Sequence, residues 1–223
     1  MLTLNDSPIL SASVLMPRVG VWTADLDVDT DTAPTGTVVL SSDAGPSWRG
    51  TVISGAVTLG TWRGRLVGGA GGLRKNLGPL AYQNPTLGDV LADALREAGE
   101  TLSAASGSLA QSTTALWHRI AGPAAQTVRD VARAQGWPWR MLDDGSVWMG
   151  PETWDAADAA ELEVLAPDPI EERYTASGDV FGIRPGTTVL LRGPEGDVGV
   201  QVDTVLLRVA LAQATATVWG FRG

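Results

Sequence analysis

The chain has 223 residues, no cysteine, one histidine and a formal net charge of −9 at pH 7. This composition excludes disulfides, zinc–thiolate sites, iron–sulfur clusters and any site built from several histidines. The negative charge argues against a nucleic-acid-binding surface as the main function. No apolar run reaches the ~18 residues of a membrane-spanning helix, and residues 1–6 lack the basic and apolar regions of a signal peptide.

The first third of the chain predicts a small β-barrel or sandwich. Short apolar and β-branched stretches alternate with Gly, Pro, Ser and Asp, which is the pattern of short paired strands. The predicted strands are Leu10–Met16, Val19–Val28, Thr37–Leu40, Trp48–Ile53 and Val57–Val67. Two similar segments begin at Trp48 and Trp62 and flank a predicted turn at Ser54-Gly55. We expect them to pair as neighbouring strands, with the two indole rings packed across the strands.

The run Gly68-Gly69-Ala70-Gly71-Gly72 marks the end of the β pattern. Glycine adopts backbone conformations that other residues avoid, so the run predicts a flexible joint between domains. A phosphate-binding loop is the alternative interpretation. It is disfavoured because Arg74 stands where a dinucleotide-binding motif needs its third glycine. Lys75 is followed by Asn76, whereas a P-loop requires Ser or Thr there.

The middle of the chain predicts a helix–helix–hairpin module. Thr86 and Asp89 have the spacing of a helix N-terminal capping box, and Gly99 has the position of a C-terminal cap. Between them an apolar stripe recurs at helical spacing: Leu87, Val90, Leu91, Ala94, Leu95 and Ala98. A second helix is predicted over residues 123–136, and a β-hairpin follows with its turn at Asp143-Asp144-Gly145.

The last third returns to the β pattern. A turn is predicted at residues 193–196, between the first two of four predicted strands. The four strands are Thr187–Arg192, Val198–Thr204, Val205–Leu211 and Ala214–Trp219. The predicted fold class is therefore mainly β with an α+β insertion, in which two small β-barrel-like domains flank the helix–helix–hairpin module. The predicted domains are residues 1–72, 73–166 and 167–223.

Four alternating aspartates form the clearest candidate for a functional site. Asp25, Asp27, Asp29 and Asp31 alternate, so a strand would place them on one face. They are interpreted either as a charged strand face that discourages edge pairing or as a cation site. The spacing of a calcium-binding loop fails, because Thr30 stands where the loop needs glycine.

The other candidates for acid–base chemistry are isolated. Glu171 and Glu172 are adjacent and would point apart in a strand, whereas a glycosidase needs converging carboxylates. Asp143 and Asp144 fall in a predicted turn, where aspartate is common. His118 has no acidic neighbour in sequence and is interpreted as a packed or surface residue. We therefore expect no catalytic, cofactor-binding or metal-binding residue and no enzymatic activity.

Tryptophan is unusually frequent, with nine residues against two Phe and two Tyr. Trp137, Trp139 and Trp148 fall in one predicted hairpin, where Trp137 and Trp139 share a face and Trp148 could lie across from them. Three interpretations stay open. The rings pack the hairpin on the helices, form a subunit interface, or provide a platform for sugars or bases.

In layout the chain resembles the tail-hub proteins of bacteriophages and related contractile injection machines, the late-control D-like hubs. The resemblance is carried by the joint Gly68–Gly72, the helix Leu87–Leu95 and the hairpin Trp137–Trp148. It covers most of the chain but includes no short diagnostic motif, so it is an analogy at the level of the fold. It implies a β-barrel, an inserted α/β module and a second β-barrel, assembled as a homotrimeric ring of pseudo-sixfold symmetry.

The resemblance also implies partners and a location. The partners would be a tail tube protein, a spike or tip protein and the tape-measure end, and the location would be the virion tail baseplate. DNA would pass through the lumen without specific binding. We therefore expect a non-enzymatic structural virion protein, a baseplate hub that links the tail tube to the spike.

One alternative is a carbohydrate-binding or adhesin module that uses the tryptophans and Ca²⁺ at Asp25–Asp31. The other is a cell-wall hydrolase that uses Glu171 and Glu172.

Overall fold

The structure, a computed structural model, describes residues 1–43, 45, 47–109, 111–157, 162–193, 196–210 and 213–222. The N-terminal part forms six strands: β1 (Leu2–Leu4), β2 (Ser7–Pro17), β3 (Thr23–Asp29), β4 (Thr37–Ser42), β5 (Trp48–Thr58) and β6 (Thr61–Gly68). Hydrogen bonds connect them in the order β1-β4-β5-β6-β3-β2. Because β1 also pairs with β2, these strands close into a barrel.

The middle of the chain forms two helices and short two-stranded ribbons. The elements are β7 (Asn76–Leu77), β8 (Leu80–Gln83), α1 (Leu87–Ala98), β9 (Leu116–Arg119), β10 (Gly122–Pro123), α2 (Ala124–Gln135), β11 (Trp139–Met141) and β12 (Val147–Met149). β7 pairs with β10, β8 with β9 and β11 with β12. Thr86 and Asp89 form the predicted capping box of α1, Gly99 ends the helix, and the predicted apolar stripe is buried.

The C-terminal part forms a second circuit of strands. They are β13 (Leu162–Asp168), β14 (Arg173–Ser177), β15 (Thr188–Gly193), β16 (Gly196–Ala210) and β17 (Gln213–Gly220). β16 pairs with β15 and β17, and β14 pairs with β13 and β17. Two parallel residue pairs between β13 and β15 complete the circuit. Residues 194–195 of the predicted turn and Leu211 of a predicted strand lie outside the described residues.

The two barrels are joined into one continuous sheet. β2 pairs with β16 in antiparallel orientation, from Pro17 opposite Thr204 to Ser11 opposite Ala210. We call this pairing of Ser11–Pro17 with Thr204–Ala210 the seam. The same residues of β16 pair with β17 along their other edge, so β16 belongs to the second barrel and at the same time extends the sheet of the first.

The predicted fold class is confirmed: the chain is mainly β, and two helices form a small module. The division into residues 1–72, 73–166 and 167–223 stays a prediction. Its second boundary falls within β13. Among the described residues, neither helix is long and apolar enough to cross a membrane.

The turn between β5 and β6 lies at Leu59-Gly60, and the prediction of a turn at Ser54-Gly55 is wrong. Gly55 and Gly64 lie opposite each other in the middle of this hairpin. A Cβ at either position would collide with the buried indole ring of Trp62. These glycines therefore make room for a ring, a role that sequence alone does not distinguish from a turn.

The capping box gives a test of the local fold. Thr86→Ala removes the hydroxyl that accepts a hydrogen bond from the Asp89 amide at 3.0 Å. We expect a loss of about 1 kcal/mol in the free energy of unfolding, measured by urea denaturation. The control is Thr101→Ala, which changes an exposed threonine of the loop after α1. Equal effects of the two changes would contradict a capping role.

Candidate interaction surface

β3 and β6 carry paired charges on the side of the sheet that faces away from the core. Asp25 lies opposite Arg65, and Asp27 lies opposite Arg63. Arg65 donates hydrogen bonds of 2.6 and 2.7 Å to the Asp25 carboxylate, and Arg63 donates bonds of 2.6 and 3.1 Å to Asp27. Two parallel N–H···O bonds are the strong form of this pairing. The two aspartates are thus neutralised by arginines of the neighbouring strand.

These pairs predict a pH dependence. The hydrogen bond from Arg65 holds the pKa of Asp25 below its usual 3.8, and the bond from Arg63 does the same for Asp27. A carboxylate with a lowered folded-state pKa stabilises the fold above its usual pKa and loses that contribution as the pH falls through the lowered value. We expect Arg65→Gln to reduce the acid-induced loss of stability, measured by urea denaturation at neutral pH and below pH 3.8. Identical losses in both proteins would contradict this.

The paired charges belong to a groove that crosses the seam. It has a volume of about 690 Å³ and is lined by side chains of β2, β3, β5, β6 and β16. Along one row of the sheet lie, in register, Arg208, Ser13, Asp25, Arg65 and Ser54. This row therefore places charged and hydroxyl side chains side by side, with Asp25 next to Arg65, whereas the whole chain carries −9.

The remaining aspartates of the alternating series lie outside these pairs. Asp29 lies opposite Thr61 at the end of the β3–β6 pairing, and Asp31 follows the strand. In the part of the chain that the structure describes, no three His, Cys, Asp or Glu side chains are grouped so that they could hold a metal ion. The alternation did place Asp25, Asp27 and Asp29 on one face, but the arginine partners are visible only once the register is known.

The predicted acidic candidates lie apart from one another. Glu171 and Glu172 lie in the turn between β13 and β14, not in a strand, and the Glu171 carboxylate is 3.7 Å from Arg222. Asp143 lies at the β11–β12 turn, where its carboxylate accepts a 2.6 Å hydrogen bond from Arg184. Burial raises the pKa of Asp143, and the Arg184 charge opposes that rise. This pair fastens the hairpin to the second barrel.

His118 and Asp144 also lie on elements other than the turn that carries Glu171 and Glu172. His118 is exposed on β9, opposite Ala81 of β8. The Asp144 carboxylate accepts hydrogen bonds from the amide and the hydroxyl of Ser146, which closes the hairpin turn. Neither side chain adjoins Glu171 or Glu172 in the strand pairings or hydrogen bonds of the described residues, so the candidates do not converge on one site.

The tryptophans of the hairpin do not form a common platform. Trp139 lies opposite Met149 and is buried, whereas Trp148 lies opposite Arg140 and therefore points to the other face. The Arg140 guanidinium stacks 4.1 Å from the Trp148 ring, and the Trp148 indole N–H donates to the Ala105 carbonyl. The expectation that Trp148 lies across from Trp139 is wrong, because the hairpin register offsets them by one residue.

Trp48 and Trp62 are buried, but they do not pack across from each other. Trp48 lies opposite Leu40 of β4, and Trp62 lies opposite Val28 of β3 and Val57 of β5. Both rings are 1% exposed or less. The two strands that carry them do pair as predicted, but the Trp48 ring lies near Phe181 and Arg184 of the C-terminal part of the chain, whereas the Trp62 ring covers Gly55 and Gly64 of its own hairpin.

The glycine run is fastened by a carboxylate that sequence analysis missed. Glu100, which is 7% exposed, accepts a 3.0 Å hydrogen bond from the Ala70 amide and a 2.7 Å bond from the Gly72 amide. The hydroxyl of Thr51 donates to the carbonyl of Gly69 at 2.8 Å. The interpretation as a flexible joint overlooked these bonds, which hold the run against both the first barrel and the end of α1.

Several large apolar side chains are exposed at the barrel ends. Leu59, at the tip of the β5–β6 hairpin, is 99% exposed, and Ile170, in the turn after β13, is 84% exposed. Leu165 of β13 is 56% exposed. Single exposed apolar side chains are common on folded proteins, so these three residues do not by themselves mark a contact surface.

Comparisons with known proteins found solved structures of similar fold. The chain matches no protein-family model and no curated protein. It is similar to a 43 kDa tail protein of prophage MuSo2 from Shewanella oneidensis, with 9% identity, a TM-score of 0.69 and coverage of 99% of this chain and 97% of that chain. It is similar to the tail protein from Neisseria meningitidis MC58, with 12% identity, a TM-score of 0.68 and coverage of 100% and 96%.

A third similar structure comes from a secretion machine. It is the E. coli c3393 protein, a component of the type VI secretion system described as similar to the T4 bacteriophage tail proteins gp27 and gp5. It has 12% identity and a TM-score of 0.66, and the match covers 100% of this chain and 77% of that one. At such identities the likeness establishes the fold and not the activity. The chain therefore has the fold shared by phage tail proteins and a tail-like secretion component.

Proposed function

We propose that this chain is a structural tail protein: a baseplate hub that links the tail tube to spike or tip proteins as a homotrimeric ring. The observation that carries the proposal is the seam. It joins two barrels edge to edge within one chain, in a fold found in tail proteins. The tape-measure end is a further partner under this proposal, and the location is the virion tail baseplate.

The kind of contact that the seam represents supports the proposal of a ring. The edges that meet, β2 and β16, belong to different barrels, so the contact joins unlike surfaces. Repeated contacts between unlike surfaces form a closed ring when their rotation closes. With two barrels in each chain, three chains supply six similar units around the axis, which suits a device that adapts a sixfold tube to a threefold spike.

The groove fits a passage for DNA better than a binding site for it. Asp25 and Asp27 are paired with arginines, and Arg208 lies beside Ser13 in the same groove. Affinity for DNA grows with the number of phosphates that lysines and arginines neutralise. Because the aspartates already neutralise Arg63 and Arg65, we propose that this surface lets a nucleic acid pass without holding it. We propose no enzymatic activity and no specific nucleic-acid binding.

The proposal is tested by mass and by location. Light scattering of the purified chain should give three times the chain mass of 23.2 kDa, and an antibody to the chain should label one end of the tail in purified particles. A chain that stays monomeric at every concentration and is absent from particles would overturn the proposal.

A glycan array with calcium, read by tryptophan fluorescence, tests the adhesin alternative, for which we expect no response.

A further inference from the structure

The backbone of the glycine run curves around a carboxylate. Gly69 and Gly71 both have a φ of +77°, in the left-handed region that glycine tolerates best. The amides of Ala70 and Gly72 donate to different oxygens of the Glu100 carboxylate, Oε2 and Oε1 respectively. Neighbouring amides that converge in a turn form an anion-binding concavity known as a nest. We call these two amides the nest.

The nest holds the carboxylate against bare backbone. A Cβ at Gly69 would lie 2.7 Å from Oε2 of Glu100, and a Cβ at Gly72 would lie 3.4 Å from Oε1. The rest of the Glu100 side chain is enclosed as well, because the residue is only 7% exposed. The glycines therefore let one carboxylate approach the amides closely, and the surrounding space is filled by the protein.

Hydrogen bonds that do not involve the carboxylate hold the nest in shape. The Gly69 amide donates to the Arg49 carbonyl at 3.1 Å, and the Gly69 carbonyl accepts a 2.8 Å bond from the Thr51 hydroxyl. On the other side of the nest, the Gly72 carbonyl accepts a 2.9 Å bond from the Lys75 amide. We therefore expect the two amides to stay convergent when the carboxylate is removed.

A cavity beside the carboxylate gives an anion a route to the nest. Its volume is about 260 Å³, and its walls include Ala70, Glu100 and Arg49. The Arg49 side chain is exposed and lies outside the ion pairs found among the described residues. Asp144 is also in the wall, but its carboxylate accepts hydrogen bonds from the amide and the hydroxyl of Ser146. An anion in this cavity would therefore meet a guanidinium that no other carboxylate neutralises.

We propose that the nest is a binding site for a small monocarboxylate, which the Glu100 side chain fills in the native chain and which free acetate fills when that side chain is shortened to alanine. The class of ligand follows from the bonds, because two amides bind the two oxygens of one carboxylate. A spherical halide cannot reproduce that arrangement. The inference goes beyond the proposed hub function and does not depend on it, since every residue of the site lies in one chain.

Acetate matches the space that the substitution would create. Glu100→Ala keeps the Cβ and removes the Cγ methylene with the carboxylate, and this missing fragment has the structure of acetate. Cavities made by shortening buried side chains can bind small molecules. The alanine variant therefore combines a cavity of acetate shape with two amides that lack their acceptor.

Rescue by acetate tests the proposal. Urea denaturation of Glu100→Ala is measured at neutral pH in sodium acetate and in sodium chloride of the same ionic strength. A ligand that binds only the folded state multiplies the folding equilibrium constant by one plus the ratio of its concentration to its Kd. We expect a saturable gain over chloride, about elevenfold at an acetate concentration of about ten times the Kd. Hydrogen exchange at the Ala70 and Gly72 amides should slow over the same range of concentrations.

Three controls separate binding from a general effect of the salt. Glu100→Gln keeps a side chain of nearly the same size in the cavity, so acetate should not stabilise it beyond chloride. Glu163→Ala, at an exposed glutamate of β13, should not respond either. Trimethylacetate should fail to rescue Glu100→Ala, because the space around the buried Glu100 side chain has no room for its methyl groups. Equal gains in Glu100→Ala and Glu100→Gln, or equal rescue by trimethylacetate, would overturn the inference.

The test remains decisive if the variant folds poorly. Should Glu100→Ala be unfolded in chloride, acetate is expected to raise its folded fraction, measured by tryptophan fluorescence. If acetate gives neither a higher folded fraction nor a higher stability than chloride, the nest does not bind a free carboxylate and the inference is wrong. The trimer mass and tail location that test the proposed function are separate measurements, so either proposal can fail without the other.

Discussion

Replacing Gly72 by alanine should lower the free energy of unfolding by about 3 kcal/mol, because the site has no room for a methyl group. A Cβ at Gly72 would overlap the backbone carbonyl of Ala98, the last residue of α1. A carbonyl that is fixed at a helix end cannot move aside as a flexible side chain can. The clash would therefore push the glycine run away from the helix and weaken its hydrogen bonds to Glu100.

The matched control is Gly78→Ala, since a Cβ there meets no atom within 4 Å. This variant should be neutral or slightly more stable, because alanine reduces the freedom of the unfolded chain. Guanidinium denaturation of both variants measures the difference. Equal stabilities would mean that the Gly72 backbone relaxes away from Ala98, and that the close approach has no energetic consequence.

Removing the Glu100 carboxylate should have an effect of similar size. Glu100→Ala removes the carboxylate that accepts hydrogen bonds from the Ala70 and Gly72 amides, and hydrogen bonds to charged groups contribute about 1.5–3 kcal/mol each. We expect a loss of about 3 kcal/mol in the free energy of unfolding. Hydrogen exchange at the two amides should rise, because the carboxylate no longer protects them.

Glu163→Ala serves as the control for Glu100→Ala, because Glu163 is an exposed glutamate on β13. It should leave both stability and exchange unchanged within error. If Glu100→Ala accelerated exchange across the whole first barrel to the same degree, the carboxylate would support global stability and not the junction alone. Faster exchange confined to the glycine run would confirm that the carboxylate fastens this junction.

Local signals made the helices predictable. The capping box of Thr86 and Asp89, the apolar stripe and Gly99 all lie within one helix length, and each acts through neighbours in sequence. Long-range features were not predictable in the same way. β1 has only three residues, Leu2–Leu4, and becomes a strand because β2 and β4 flank it. The Asp25–Arg65 pair needs the register of two strands that are far apart in sequence.

The glycines show where sequence patterns are ambiguous. Glycine next to serine usually marks a turn, yet Gly55 lies inside a strand because the ring of Trp62 covers it. Gly68–Gly72 has the composition of a linker, but Glu100, from another part of the chain, binds its amides. In both cases the decisive partner is a side chain whose position becomes known only from the packed structure.

The seam also constrains how the protein is made. Ser11–Pro17 leave the ribosome long before Thr204–Ala210, the residues that pair with them. Until β16 has been made, the Ser11–Pro17 edge of a nascent first barrel lacks its seam partner and is open to pairing with other chains. Contacts between such distant residues form slowly. We therefore expect translation products that end before β16 to aggregate more readily than the chain that includes β16.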